Sequence, residues 1–261
     1  MYMYWWQAMV LGLVQGFTEF LPVSSSGHLI LVRQLMGLNE AGTSYLLFDV
    51  MAHVGTLAAV CIVLFKDILG LFKKPYKQLL LLVVASIPAV IVGLTCSGVI
   101  DDYFSTAKYL CFFFAFTAII MLVSEIVAKR NKTPKDIGWG SAIAMGVMQG
   151  VGVFPGVSRS GSTIFGGTVA GADSKKVATF SFLMSIPIIL GSLLFSIIDV
   201  AKSGAIAYVD WFSIVVGAVS AFVSGYFAVR VMLKLIAKAN YKWFSLYLAV
   251  LAILTFSFYF L

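Results

Sequence analysis

Six uninterrupted apolar stretches constrain this chain more than any other feature of its sequence. They lie at about 45–65, 78–100, 109–128, 177–198, 210–230 and 243–261. Each has roughly the 20 residues that a helix needs to cross about 30 Å of hydrocarbon. With 61% hydrophobic and only 11% charged residues, the chain is too apolar for a soluble domain of its length. We therefore predict an all-α integral membrane protein with six transmembrane helices and a single membrane domain over residues 1–261.

Two further apolar regions, residues 5–36 and 137–171, are interrupted near their middle by Ser, Gly and Pro residues. An unwound chain at membrane depth exposes backbone N–H and C=O groups. Such groups are tolerated only where they face protein or a wet cavity. Each region is therefore predicted to form a re-entrant helical hairpin, in addition to the six spans.

The two interrupted regions repeat one another. At an offset of 134 residues they share nine identities over 19 positions without a gap. The matched pairs are Gly12 with Gly146, Gln15 with Gln149, Gly16 with Gly150, Phe20 with Phe154, Val23 with Val157, Ser24 with Ser158, Ser26 with Ser160, Gly27 with Gly161 and Ile30 with Ile164. Each repeat, 1–130 and 135–261, then contains one hairpin and three spans. Because three crossings is an odd number, the repeats have inverted topology, which places a binding site where the interrupted segments meet.

Three ionisable residues lie in the interruptions: Glu19 and His28 in the first, and Arg159 in the second. A charged side chain at the centre of a bilayer costs roughly 3 kcal/mol unless it pairs or lines a polar cavity, so its default interpretation is functional. A purely structural ion pair is the alternative. Arg159 offers a planar fork of donors that matches phosphate oxygens.

The residues around Arg159 suit a phosphate group, because hydroxyls donate hydrogen bonds and glycine lets the backbone approach closely. The candidate substrate-binding residues of the second interruption are Ser158, Ser160, Gly161 and Thr163. If a helix begins near Gly161, its free N–H groups would also face an anion. Serine is common at helix caps, so each serine alone has an equally good structural explanation.

The first interruption supplies reactive groups. His28 is a candidate nucleophile, or a general base for the hydroxyl of Ser25, because its ordinary pKa lies near neutrality. Glu19 is a candidate to orient His28 or to hold a divalent cation, Mg²⁺ or Ca²⁺, against phosphate oxygens. Gln15, one turn earlier, adds a neutral ligand on the same helix face. Ser26 completes the set of candidate substrate-binding hydroxyls in this segment.

On the first full span, Asp49 and His53 have the i, i+4 spacing that places both on one helix face. They are candidates to support the site. A local structural pair explains them equally well.

Three segments resemble the undecaprenyl-diphosphatase family, which is also known for bacitracin resistance: Gln15-x-x-x-Glu19, Phe-Leu-Pro-Val-Ser-Ser-Ser-Gly-His at 20–28, and Pro-Gly-Val-Ser-Arg-Ser-Gly-Ser-Thr at 155–163. The resemblance implies divalent-metal-dependent hydrolysis of undecaprenyl pyrophosphate to undecaprenyl phosphate and phosphate, which recycles the lipid carrier of cell-wall precursors. By position it implies a site made of Glu19, Ser24, Ser25, His28, Ser158, Arg159 and Thr163. Gln15 stands where the family has Glu or Gln, so this motif contains a single carboxylate.

The expected partners are a lipid pyrophosphate substrate and membrane lipid. Nucleic acid is not expected, because the basic residues lie in short loops between spans, where the membrane explains them. A prenyl-phosphate transporter or flippase remains the alternative function, since inverted repeats with broken helices recur in carriers. The oligomeric state is open, with a homodimer among the alternatives.

The loop charges predict the orientation. Most basic residues lie in four connections on one side of the predicted topology, at 66–77, 129–136, 172–176 and 231–242. The opposite connections, at 101–108 and 199–209, contain only Lys108 and Lys202 as bases. The positive-inside bias makes the basic side cytoplasmic. We therefore expect a multi-pass protein of the bacterial inner (plasma) membrane, with both termini and the mouth of the active site extracytoplasmic.

Overall fold

The computed structural model describes residues 3–38, 43–99, 107–203 and 210–261, and this part of the chain is built from helices and their connections. The α-helices are α1 Trp5–Phe20, α2 Ser25–Leu35, α3 Thr43–Val63, α4 Phe65–Leu71, α5 Lys77–Val99, α6 Leu110–Arg130, α7 Trp139–Val151, α8 Arg159–Val169, α9 Ser174–Ser203, α10 Trp211–Ala237 and α11 Lys242–Phe260. A short 3₁₀ turn, Ala107–Tyr109, precedes α6. The protein is therefore an all-helical membrane protein, as predicted.

Five helices are long and apolar enough to cross a membrane: α5, α6, α9, α10 and α11. The first predicted span, at 45–65, differs from a simple crossing helix. The chain bends by 80° between the segments Leu47–Val63 and Phe65–Leu71, and the two pass as a span only together. The connection expected at 66–77 thus begins with helix α4, whose Phe65 and Leu69 are exposed.

Each predicted hairpin consists of two short helices that contact each other, α1 with α2 and α7 with α8. The two hairpins pack in equivalent ways, because α1 lies against α10 while α7 lies against α5, the helix that corresponds to α10 in the first half. A Cβ atom at Gly12 would lie 2.2 Å from the carbonyl oxygen of Gly217, and one at Gly146 would lie 2.7 Å from that of Ala85. Small residues therefore permit the same close helix contact in both halves.

The two ends of the helix bundle carry different connections. At one end, the main chain of Lys135 bonds to Gly171 and Asp173, and the side chains of Lys176 and Asp136 form an ion pair. At the other end, the hydroxyl of Ser213 lies 3.0 Å from the carbonyl oxygen of Met3. The hydroxyl of Tyr259 bonds to Gln34 there.

These contacts place the basic connections at 129–136 and 172–176 together at one end, and the N-terminal segment with the last turn of α11 at the other. The acidic connections at 101–108 and 199–209 lie largely outside the described residues.

Candidate active site

The interruptions of the two hairpins meet, as the repeat predicts. The hydroxyl of Ser26 accepts a hydrogen bond from the N–H of Gly156 at 3.3 Å. The hydroxyl of Ser160 donates to the carbonyl of Leu21 at 2.9 Å. The guanidinium of Arg159 pairs with the carboxylate of Glu19. These three bonds join segments that lie about 140 residues apart in the chain.

A cavity of about 330 Å³, lined by both polar and apolar side chains, opens beside this junction. The predicted site residues that line it are Glu19, Ser25, Ser26, Ser158 and Arg159. Its remaining polar lining comes from Asp49, His53, Gln149 and Ser192. Apolar residues of α5 and α9, among them Ala89 and Ile188, form the opposite wall.

Glu19 lies at the centre of the polar contacts. Its Oε2 atom accepts hydrogen bonds from the hydroxyl of Ser25 at 2.6 Å and from the amide of Gln15 at 3.0 Å, while Oε1 accepts from Arg159. The ring atom Nε2 of His53 lies 3.6 Å from Oε2. The side chain of Glu19 is only 4% exposed, so these donors replace the water that a buried carboxylate loses.

Two serines of the predicted site are N-caps. The Ser24 side chain accepts from the N–H of Gly27 at 3.2 Å at the start of α2. The Ser158 side chain accepts from the N–H of Gly161 at 3.1 Å at the start of α8. Each cap satisfies a backbone donor that the first helical turn would otherwise leave unpaired. The N–H of Gly161, expected to face an anion, is therefore engaged within the protein.

Thr163 also bonds within the protein. Its hydroxyl lies 3.1 Å from the carbonyl of Arg159 and 2.6 Å from the hydroxyl of Ser181. The predicted site residues outside the cavity lining are Gln15, Ser24, His28, Ser160, Gly161 and Thr163. Gln15 contacts the cavity residue Glu19 from within α1, and the contacts of the others shape the two interruptions.

The expected pairing of His28 with Ser25 is not formed. The Nδ1 atom of His28 lies 2.7 Å from the carbonyl oxygen of Ser24, and Nε2 lies 2.7 Å from the hydroxyl of Tyr247. The imidazole thus turns back along α2 and toward α11, while Ser25 donates to Glu19. Glu19 contacts His53 instead of His28, so the histidine beside the carboxylate comes from α3.

Gln149 is a cavity residue that the motif analysis missed. Among the described residues, its buried Oε1 atom has no hydrogen-bond partner, and neither has that of Gln15, its counterpart in the first repeat. The offset of 134 residues that pairs the two could have identified it. Ser192 lines the cavity from the middle of α9, and no sequence signal marks it. Asp49 lines the cavity while it pairs with Arg33.

The side chains near the cavity provide only some of the oxygen ligands that a hard divalent cation needs. The described residues contain no group of three or more His, Cys, Asp and Glu side chains that could hold a metal. They do contain a buried carboxylate, Glu19, beside an amide oxygen of Gln15 that lacks a partner. Such a set fits an ion held mainly by substrate phosphates and water, which is how proteins commonly bind Mg²⁺.

Fold and site together define a polytopic α-helical membrane protein with a cavity, lined in part by charged and hydroxyl side chains, where two interrupted helical hairpins meet. The family model for the bacitracin resistance protein BacA matches residues 8–254, and the chain belongs to this family. It is 39% identical over 249 residues to the undecaprenyl-diphosphatase of Carboxydothermus hydrogenoformans, covering 95% of this chain and 94% of that protein. It is 36% identical over 247 residues to the undecaprenyl-diphosphatase of Halothermothrix orenii, with 94% of each chain covered. The undecaprenyl-diphosphatase of Treponema denticola is 40% identical over 258 residues, with 93% of each covered.

Proposed function

We propose that this protein hydrolyses undecaprenyl pyrophosphate to undecaprenyl phosphate and inorganic phosphate. One observation carries the proposal: a buried carboxylate, Glu19, contacts the hydroxyl of Ser25 and the guanidinium of Arg159 at the edge of a cavity. The three groups correspond to a base, a nucleophile and a phosphate-binding cation. Relatives that share more than a third of their residues with nearly the whole chain bear the same activity in their names.

Ser25 is the proposed nucleophile. Its oxygen attacks the terminal phosphorus while its proton passes to Glu19, 2.6 Å away. A Ser25 O–P bond forms, the P–O bond to the prenyl phosphate breaks, and the leaving oxygen takes the proton from Glu19. Water then attacks the phosphorus of the phosphoserine and gives one proton to Glu19, the bond between Ser25 Oγ and phosphorus breaks, and Glu19 passes that proton to the Ser25 oxygen. Inorganic phosphate leaves, and the residue is restored.

Arg159 supports both partners of this step. A guanidinium has five N–H donors in a rigid fork, so one amino group can pair with Glu19 while others remain for phosphate oxygens. Arg159 lines the cavity beside Ser25 and Ser26. Donors aimed at oxygens that gain negative charge lower the barrier most, because they need no reorganisation during the reaction.

A divalent cation, Mg²⁺ or Ca²⁺, is the proposed cofactor. Glu19 and the amide oxygen of Gln15 are its candidate ligands. When bound, the ion would neutralise charge on the phosphate oxygens. Gln149, on the cavity wall, offers a second amide oxygen that has no hydrogen-bond partner among the described residues.

The proposed topology has six crossings, with α3 and α4 counted as one, and two re-entrant hairpins that enter from opposite sides. The basic end is the proposed cytoplasmic side of the bacterial inner membrane, by the positive-inside bias. Asp49, in the second turn of α3, lines the cavity together with His53, one turn further along, which supports a mouth on the extracytoplasmic side. A recycled carrier is left on that side after polymerisation, as the family resemblance implies.

Thiol labelling of intact cells tests this orientation. Cys61, Cys96 and Cys111 are first replaced, and single cysteines are then placed at Ser105 or at Lys132. We expect a membrane-impermeant reagent to label Ser105→Cys in intact cells, and Lys132→Cys only after permeabilisation. The reverse pattern would invert the topology.

Release of inorganic phosphate tests the activity. The purified protein is incubated with a long-chain prenyl pyrophosphate and Mg²⁺ or Ca²⁺, beside Ser25→Ala protein prepared identically. We expect phosphate release by the wild type alone, and mass spectrometry of a rapidly quenched reaction should find phosphate on Ser25. A transporter would move the lipid without releasing phosphate. Phosphate release that survives Ser25→Ala would remove Ser25 as the nucleophile.

A further inference from the structure

The two N-caps of the hairpins have the same chemistry but different backbones. Ser24 and Ser158 are equivalent in the repeat, and each accepts a hydrogen bond from a glycine N–H three residues later. Ser158 has an ordinary φ of −77°, whereas Ser24 has a φ of +69°. A left-handed φ at a residue other than glycine costs about 1–3 kcal/mol, and the surrounding structure must hold it in place.

His28 provides a contact that the second hairpin lacks. Its Nδ1 atom lies 2.7 Å from the carbonyl oxygen of Ser24, and its backbone N–H donates to the same oxygen at 3.2 Å. The equivalent residue of the second hairpin is Ser162, whose buried hydroxyl has no hydrogen-bond partner in the described part of the chain. The carbonyl of Ser24, the N-cap serine with the positive φ, therefore also accepts a hydrogen bond from the imidazole of His28.

Tyr247 of α11 holds the other side of this imidazole. Its hydroxyl lies 2.7 Å from Nε2 of His28, and the two rings stack with centroids 5.7 Å apart. The ring of Phe114 packs edge-on against the same imidazole. A carbonyl only accepts hydrogen bonds, so Nδ1 carries the proton in the neutral ring and Nε2 accepts from Tyr247.

We infer that Tyr247 is a positioning residue for the proposed hydrolysis. Through His28 it holds Ser24 in the left-handed conformation, and this conformation directs the next residue, Ser25, at Glu19. Tyr247 itself is not part of the cavity lining. This role rests on the proposed function, and it makes His28 a support of the site rather than a reacting group.

Tyr247→Phe is the first test, because it removes one hydroxyl and keeps the ring. Tyr259→Phe is a matched control: Tyr259 lies on the same helix, and its hydroxyl bonds to Gln34 of the same partner helix, α2. We expect Tyr247→Phe to lower kcat about tenfold, the loss that one hydrogen bond accounts for, with KM within about twofold. Tyr259→Phe should keep wild-type kcat. Wild-type kcat in Tyr247→Phe would overturn the inference.

His28 variants separate support from chemistry. In His28→Asn the amide nitrogen can replace Nδ1 as donor to Ser24, but it can act neither as nucleophile nor as base. We expect His28→Asn to keep several-fold more kcat than His28→Ala, and adding Tyr247→Phe to His28→Asn should cause no further loss. Equal loss in both His28 variants would make His28 a reacting group. A full further tenfold loss in the double variant would mean that Tyr247 does not act through His28.

The contact between Tyr247 and His28 can also be tested by NMR, which does not depend on the proposed hydrolysis. The chain has only two histidines, so ¹⁵N-labelled imidazole signals are readily assigned with the His28→Asn protein. We expect a protonated Nδ1 at His28, and an Nε2 shift that changes in Tyr247→Phe but not in Tyr259→Phe. If the wild type releases no phosphate, the proposed function fails while this spectrum still decides the contact. An unchanged Nε2 shift in Tyr247→Phe would refute the contact itself.

Discussion

Replacement of Arg159 by lysine separates the charge of this residue from its shape. In the Arg159–Glu19 pair Glu19 is buried and Arg159 is partly buried, with side chains 4% and 15% exposed. Lysine keeps the positive charge beside the carboxylate, so the buried pair survives. It loses the planar fork, because its ammonium presents all its donors from one nitrogen. A lysine that satisfies Glu19 therefore leaves the phosphate oxygens without their contact.

The expected loss follows from that missing contact. One donor to oxygens that gain charge in a transition state is worth about 10² to 10³ in rate, so kcat of Arg159→Lys should fall by that factor. Folding should change little. Arg159→Gln, by contrast, leaves Glu19 buried without its cation, which costs about 3–5 kcal/mol in comparable pairs, and should lower the thermal midpoint clearly.

The assay is phosphate release at saturating substrate and metal, with thermal unfolding of each purified variant in the same detergent. Arg230→Lys is the control, because Arg230 lies on α10 over the ring of Tyr226 and outside the cavity lining. It should keep wild-type kcat. A loss of less than about threefold in Arg159→Lys would show that Arg159 serves as a structural charge, and would refute the proposed contact with phosphate.

Three further changes test other parts of the structure. Glu19→Gln should abolish most phosphate release at saturating metal, because the amide cannot take the serine proton; near wild-type turnover would remove Glu19 from the mechanism. Gly12→Leu should prevent correct folding, since its Cβ would lie 2.2 Å from a carbonyl oxygen of α10. The control is Gly140→Leu, which should fold because a Cβ there meets open space. Equal yields of folded protein from the two variants would contradict the close contact between α1 and α10. Asp210 caps α10, and the hydroxyl of Ser213 beside it lowers the pKa of that carboxyl below its ordinary 3.8. A lowered folded-state pKa stabilises the protein above the unfolded pKa, and that gain is lost as pH falls through the folded pKa. Asp210→Ala should therefore lower the thermal midpoint more at pH 7 than below the folded-state pKa, and a difference that does not shrink in acid would refute the link.

The sequence alone determined the class of protein and predicted the place of its candidate site. The length of an apolar stretch predicts a membrane helix, because the thickness of the hydrocarbon layer sets the length of a helix that crosses it. Ser, Gly and Pro at membrane depth report interruptions, because unpaired backbone groups there need a protein or water partner. The repeat then predicted that the two interruptions meet, and Glu19 and Arg159 do pair across it.

The tertiary structure decided which side chains face the cavity. Ser24 and Ser158 have hydroxyls committed to helix caps, a choice that depends on where each helix begins. The ring of His28 could bond to several neighbours, and the hydroxyl of Tyr247, 219 residues away, selects one direction. Gln149 and His53 enter the site because α7 and α3 pack beside the junction. Composition and residue spacing predict the local structure of each segment. The direction of each side chain follows instead from contacts between helices, which the local sequence does not encode.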